Sequence, residues 1–174
     1  MAAVLGGLSC VSNGSDGHSD TEVHLLVDSG TVARGKWEEL AAPMTWWIDP
    51  YGPDSLYQMG IKRFTRQQAL GNAAHSYLND VLKDGHYSFL SRAAPSAVKD
   101  AVAGLEALEL VQEKQNLETA WTKFKENGED ADLSEEDSKA IQLKEAHTYE
   151  NIFRAYALAN AEAFFYDQWV KRPG

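Results

Sequence analysis

The chain has 174 residues, of which 44% are hydrophobic, and it carries a formal net charge of −10. This length and composition predict one folded domain and exclude a chain that is disordered throughout. No apolar run reaches the roughly 18 residues of a membrane-spanning helix, and no dense basic patch favours direct binding of nucleic acid.

The single cysteine, Cys10, excludes an internal disulfide framework and a zinc site built from cysteines. A reducing compartment is therefore expected, and we predict a cytoplasmic protein. The apolar run before Cys10 is too short for a signal peptide and lacks a charged start, so a mobile tail is favoured over lipidation. We predict a flexible N-terminal segment over residues 1–35 and a helical domain over residues 36–174.

The first predicted elements are short. The segment from Glu22 to Asp28 has the composition of a strand, but the sequence shows no second strand to pair with it. Residues 36–60 hold three of the five tryptophans and three prolines, and they predict an aromatic flap packed over the helical core. A binding surface is the alternative, because Trp and Tyr also anchor interfaces. Within this flap, Trp37 begins a short helix that Pro43 ends or offsets.

The strongest helix signal runs from Arg66 to Leu82. Thr65 and Gln68 have the spacing of a capping box, in which each side chain bonds the backbone of the other residue. Because glycine readily adopts the left-handed conformation that ends helices, we expect Gly85 to end this one. One continuous apolar stripe at helical spacing is formed by Leu70, Ala73, Ala74, Tyr77, Leu78, Val81 and Leu82.

Two more helices are predicted over Pro95–Val111 and Gln115–Glu126. Proline favours the first turn of a helix, where its missing N–H costs little. The following stretch, Glu126–Asp137, contains 7 acidic residues and no basic one, and it predicts a solvated loop.

A last helical pattern runs from Ser134 almost to Trp169. Ser134 and Asp137 have the spacing of a second capping box. Because about 35 residues is long for a globular helix, we expect a break near His147 and Thr148. The predicted fold is mainly α, a single-domain irregular bundle of about five to six helices with an aromatic N-terminal flap.

Charge is spread unevenly along the chain. Residues 106–150 carry 13 acidic and 5 basic side chains, whereas residues 61–99 carry 2 acidic and 6 basic ones. The acidic segment favours a basic partner, because long-range attraction speeds the encounter of opposite charges. The alternative is that the acids serve only solubility.

Motifs for catalysis or metal binding are missing from the sequence. The five histidines form no pair at metal-ligand spacing, and no phosphate-binding glycine loop or nucleophile motif occurs. The acids between Asp130 and Glu135 lack the glycine and the final glutamate of a calcium loop. His75 is expected to be a partly buried, hydrogen-bonded side chain, and His86 to serve in capping or packing. We therefore predict no metal and no cofactor.

The turn after the first long helix, Asp84-Gly85-His86-Tyr87, carries a family resemblance. Together with Asp80-Val81 and Phe89-Leu90, this turn resembles the Glu-Val pair, the Asn-Gly-Gly-Phe turn and the trailing aromatic residues of the DMP19-like family, which are small bacterial helical proteins. The resemblance covers about residues 65–169. The later segments are similar to the family in order and kind, namely Ala97–Leu110, Leu117–Phe124, Glu126–Asp137 and Tyr149–Trp169.

The resemblance implies a DNA-mimic mode of action, in which carboxylates spaced like phosphates occupy a DNA-binding protein. Such acids on rigid helices reproduce the charge spacing of a duplex, and their binding weakens with salt. The candidate partner-binding residues are Glu106, Glu109, Glu113, Glu118, Glu126, Glu129, Asp130, Asp132, Glu135, Glu136 and Asp137.

We therefore expect a non-enzymatic acidic helical protein that binds a basic protein partner, with a DNA-binding protein as the form that the resemblance implies. One alternative is an enzyme or small-ligand binder with a pocket near His86, Tyr87 and the Trp46-Trp47 flap. Another is an immunity or stress accessory protein whose acidic face neutralises a toxin.

Overall fold

The computed structural model describes residues 22–171, so Cys10 and the predicted tail as far as residue 21 lie outside the described residues. The described part contains two strands, β1 (Glu22–Val27) and β2 (Tyr166–Lys171), and eight α-helices. The helices are α1 (Ser29–Arg34), α2 (Trp37–Thr45), α3 (Asp54–Ile61), α4 (Arg66–Arg92), α5 (Pro95–Ala107), α6 (Val111–Asn127), α7 (Ser134–Ala146) and α8 (Tyr149–Ala159).

The mainly α class is confirmed, but the expected number of about five to six helices is too low. The two helices that were not predicted, α1 and α3, precede residue 62, where turn residues and prolines hide short helical segments. In α1, the side chain of Asp28 accepts a hydrogen bond from the Thr31 N–H, and Gly35 ends the helix with φ 64°. In α2, Pro43 lies inside the helix instead of ending it.

Residues 22–35, which the sequence assigned to a flexible segment, form β1 and α1. Leu25 and Val27 of β1 are buried in the core. The missing partner strand is β2, which pairs with β1 in antiparallel register from Glu22 opposite Lys171 to Val27 opposite Tyr166. The helical pattern predicted almost to Trp169 is wrong over β2, because pairing with a distant strand leaves no local signal.

The aromatic residues of the predicted flap belong largely to the core. The Trp37 ring is 3% exposed and packs against Phe153 and Phe164, with ring centroids 4.8 and 5.8 Å away. Trp46 and Trp47 are partly buried against the same core.

Helix α4 is the central helix of the bundle. Its N-terminus is the predicted capping box, with the Gln68 N–H donating to the Thr65 hydroxyl and the Thr65 N–H donating to the Gln68 side chain. The predicted apolar stripe is buried for the most part, including Ala74, Tyr77 and Val81. The helix packs mainly along α5, where Gly104 lets the two backbones approach: a Cβ there would lie 2.3 Å from the Leu70 carbonyl oxygen.

The first helical segment of α4 ends at Gly85, as the sequence predicts, and a second segment begins directly after it. The backbone of Gly85 has φ 80° and ψ 168°, a conformation that favours glycine, and the second segment continues to Arg92. The kink sets the second part of α4 on a new axis.

The C-terminal half contains the predicted break. Helix α7 ends at Ala146, His147 caps it in an extended conformation, and α8 begins at Tyr149. The predicted second capping box is wrong, because the residue before α7 is Leu133 and the Ser134 hydroxyl donates to Asp132. In the described part of the chain, no helix is both long and apolar enough to cross a membrane.

Replacing Gly85 by alanine tests the kink. The new Cβ would suffer the strain of a positive φ and lie 2.9 Å from a carboxylate oxygen of Asp137. We expect G85A to lower the free energy of unfolding by about 3 kcal/mol in urea titrations. The control is G128A, which has a positive φ of 57° but no heavy atom within 4 Å of the new Cβ. We expect it to cost about 1 kcal/mol, and equal losses in the two variants would contradict a role for the Asp137 contact.

Candidate functional site

The resemblance turn lies at the kink of α4, and its histidine points inward. The His86 ring is 0% exposed. Its Nε2 lies 2.9 Å from the Tyr77 hydroxyl, and its Nδ1 lies 2.6 Å from Oδ1 of Asp137. The same carboxylate oxygen accepts the backbone N–H of His86 at 2.8 Å. The side chain thus joins α4 to the first turn of α7.

The protonation states in this cluster follow from burial. Burial raises the pKa of Tyr77 well above its ordinary value, so the hydroxyl keeps its proton and donates it to Nε2. Burial lowers the pKa of His86, although the hydrogen bond to Asp137 acts in the opposite direction. The neutral ring then carries its proton on Nδ1 and donates it to Asp137, which leaves neither ring nitrogen unpaired.

This geometry counts against a substrate pocket at His86. A general base needs a nitrogen that a substrate can reach, whereas both nitrogens here are engaged and the ring is enclosed. The neighbouring Tyr87 is 40% exposed, and its ring lies edge-on to Phe124 of α6, with centroids 5.8 Å apart. In this turn, His86 is therefore a buried structural residue, whereas Tyr87 is partly exposed at the surface.

A second pair of histidine and carboxylate lies at the other end of α7. Nδ1 of His147 is 2.5 Å from Oε1 of Glu113, and the Tyr149 hydroxyl donates to the same oxygen at 3.0 Å. Burial, followed by the Glu113 carboxylate, raises the pKa of Tyr149. Helix α7 is thus attached at its first turn to α4 and just after its last turn to α6.

Three of the eleven predicted partner-binding acids do not face solvent freely. Glu113 is 2% exposed and Glu136 is 4% exposed, and Asp137 is half-buried against His86. Glu136 forms an ion pair of 2.7 Å with Lys123. The hydrogen bond to Glu136 and the negative charge of Glu136 raise the pKa of Lys123. That these three residues contact a partner stays a prediction, and in this structure their carboxylates bond neighbouring helices instead.

The other eight predicted acids are exposed, and we call them the acidic surface. They lie at the end of α5, in the link to α6, on α6, in the turn after α6 and at the start of α7, and they are Glu106, Glu109, Glu118, Glu126, Glu129, Asp130, Asp132 and Glu135. Hydrogen bonds from Ser134 lower the pKa of Asp132, which secures its negative charge.

Little of this charge is neutralised. Lys114 reaches Glu106 at 3.1 Å, and Lys123 reaches Glu135 at 4.0 Å. Among the residues that the structure describes, no ion pair is formed by Glu109, Glu118, Glu126, Glu129 or Asp130. The surface therefore keeps most of its negative potential.

Some structural residues were missed by the sequence analysis. Tyr57 donates to one oxygen of Asp100 at 3.0 Å, and Arg66 approaches the other at 2.7 Å, which joins α3, α4 and α5. No local spacing connects these three residues, so only the fold brings them together. Within residues 22–171, no group of three or more His, Cys, Asp or Glu side chains is arranged to hold a metal ion.

Comparisons of the chain with models of known protein families, with curated protein sequences and with solved structures return no match. The resemblance to the DMP19-like family therefore remains a prediction.

Removing the Asp137 side chain tests its structural role. D137A leaves the buried Nδ1–H of His86 and one backbone N–H without a partner, so we expect it to cost about 1–3 kcal/mol of unfolding free energy. The control is D84A in the same turn, where the carboxylate only pairs with exposed Lys83 at 3.6 Å. We expect it to change stability by less than about 0.5 kcal/mol, and a similar loss in both variants would contradict the assignment.

The lowered pKa of His86 predicts a pH dependence of stability. Above about pH 6.5 the ring is neutral in both folded and unfolded chains. As the pH falls, the unfolded chain takes up the proton first, so the free energy of unfolding decreases from that pH downward. We expect a decrease between pH 7.5 and 5.5 in urea titrations, and a smaller one in H86N, because asparagine does not titrate. An unchanged slope in a folded H86N protein would show that other groups cause the effect.

Proposed function

We propose that this chain is a non-enzymatic protein that binds a basic protein partner through the acidic surface. The observation that carries the proposal lies in the last turn of α6 and the turn after it, where Glu126, Glu129 and Asp130 are exposed and form no ion pair within the described part of the chain. Carboxylates that the fold itself does not neutralise are available to a cationic partner. The proposal includes a cytoplasmic location.

The acidic surface has a rigid support. Lys123 and Asn116 of α6 hold Glu136 of α7 through its side chain and its carbonyl oxygen, and the pair of Glu113 and His147 ties the far end of α7. Because the helices are joined at several points, the exposed carboxylates keep their spacing. A preorganised charge pattern loses less conformational entropy on binding than a flexible acidic tail.

The DNA-mimic form of the proposal places stricter demands on spacing. A duplex carries one charge per about 1.7 Å of its axis, whereas Glu118 and Glu126 are separated by about 12 Å along α6. Mimicry therefore depends on the turn Glu126–Asp132, where four carboxylates fall within seven residues. The resemblance supports a DNA-binding protein as the partner, and the charge supports a basic partner in general.

The basic segment of the chain does not oppose this function. Its basic side chains lie in the link between α3 and α4 and on α4 and α5, and Arg63 and Arg92 lie over the rings of Trp47 and Tyr51. Only Lys114 and Lys123 form ion pairs with members of the acidic surface in the described structure. Eight of the 13 acidic residues in 106–150 belong to this surface.

Affinity capture from a lysate of the native host tests the proposal with a matched pair of variants. E126Q/E129Q/D130N removes three charges from the acidic surface. The control, E145Q/E150Q/E162Q, removes three exposed acids from outside that surface and leaves the same net charge. We expect wild type and control to retain a basic protein, identified by mass spectrometry, that the first variant loses by about tenfold or more.

Raised salt and duplex DNA complete this experiment. Binding of the captured protein should weaken as salt increases, because exposed charges are screened. Displacement of the captured protein by excess duplex DNA would support mimicry. If duplex DNA does not displace it, the DNA-mimic form is contradicted, whereas binding of a basic partner still stands. Equal capture by both variants, or capture that salt does not change, would contradict the whole proposal.

A further inference from the structure

The two-stranded sheet has an open edge on β2. This strand pairs with β1 on one side, and no third strand joins the sheet within residues 22–171. In an antiparallel pair, alternate residues direct their N–H and C=O groups away from the partner strand. Backbone hydrogen bonds connect none of Asp167, Gln168 and Val170 to a described strand or helix other than β1. Strand β2 therefore presents backbone donors and acceptors along an edge of about 20 Å.

The core does not extend past this edge. Strand β1 also packs on α1 and α2, whereas the main contacts of β2 are with β1. Tyr166 and Val170 of β2 are buried, and Gln168 lies on the same side of the strand but is exposed. A further strand can therefore lie beside β2 without displacing the core.

The outer face of β2 carries a self-complementary pattern. Asp167, Trp169 and Lys171 alternate along this face, which gives a negative, an aromatic and a positive side chain in order. If two copies of β2 pair in antiparallel orientation about Trp169, Asp167 of each copy lies opposite Lys171 of the other, and opposite charges at such positions stabilise a sheet. Pairing about Gln168 or about Val170 places neither charge opposite the other. The sequence of the strand thus favours one register.

Both charged groups are accessible to a second copy. The Asp167 side chain is 73% exposed, and its Oδ1 lies 2.6 Å from Nε2 of His24, which leaves Oδ2 at the surface. The His24 ring also stacks on Trp169, with centroids 4.7 Å apart. Lys171 is exposed and forms no ion pair in the described structure. Because His24 holds two of the three side chains in place, less conformational entropy is lost when a copy binds.

We propose that β2 pairs with β2 of a second copy of this chain, which forms a dimer with a four-stranded sheet in the order β1-β2-β2-β1. Two-fold symmetry repeats each contact, so the pair of Asp167 and Lys171 occurs twice, and neither copy keeps its open edge. One short strand buries less surface than a standard interface, so the dimer is weak and depends on concentration. This interface is separate from the acidic surface and does not rest on the proposed function.

Sedimentation equilibrium of the full chain from about 5 to 500 µM tests the dimer with charge-reversal variants. D167K places lysine opposite Lys171, and K171D places aspartate opposite Asp167, in each case twice per dimer. Each variant should therefore weaken self-association by about tenfold. In an equimolar mixture of D167K and K171D both opposed pairs again have opposite charges, and we expect a heterodimer about as stable as the wild-type dimer.

Matched controls separate this effect from a change in net charge. E145K and K139D alter exposed residues of α7 by the same charges, and each should self-associate as wild type does. Far-UV circular dichroism verifies that every variant is folded. A wild type that stays monomeric over the whole range would overturn the proposal, as would folded D167K and K171D proteins that associate like wild type or that form no heterodimer when mixed.

Hydrogen exchange gives a second measurement on the wild type alone. The alternate amides of β2 that point away from β1 acquire hydrogen-bond partners only in the dimer. We expect them to exchange at least about fivefold more slowly at the highest concentration than at the lowest, with the amides of α7 unchanged. Exchange of the β2 amides at the same rate at both concentrations would contradict pairing through this edge.

Discussion

The arrangement of the bundle depends on one buried imidazole. His86 can be enclosed only because Tyr77 and Asp137 satisfy both of its nitrogens, and Asp137 can reach it only because Gly85 turns the backbone of α4. A Cβ on Gly85 would lie only 2.9 Å from Oδ2 of Asp137 and would push the carboxylate away. The bend of one helix and the position of another are thereby determined by the same set of hydrogen bonds.

This constraint extends to the charged exterior. Asp137 is one residue from Glu136, whose carboxylate binds Lys123 of α6, and two from the exposed Glu135. The far end of α7 is attached through His147 to Glu113. Acidic residues that looked alike in sequence therefore have two separate uses: those that face inward orient the helices, and those that face outward form the negative surface.

Local signals in the sequence predicted the elements that depend on neighbours in the chain. The capping box at Thr65 and Gln68 and the apolar stripe of α4 follow from spacing within a few residues, and the break at His147 and Thr148 follows from the length of the helical pattern. Contacts between residues far apart in the chain could not be predicted from local spacing. Strand β2 and the inward orientation of Glu113 and Asp137 each depend on a partner more than 30 positions away, and pairing at that range does not show in composition or periodicity.

The pairing of β1 with β2 has a consequence for the order of folding. His24 and Asp167, which meet across this sheet, are separated by 143 positions in the chain. Helices and their contacts with sequence neighbours form rapidly, whereas closing so long a loop carries a large entropic cost that later contacts must offset. A two-stranded sheet has little stability of its own, so it forms once Leu25 and Val27 have a helical surface to cover. We therefore expect the sheet to form late in folding and to separate early in unfolding.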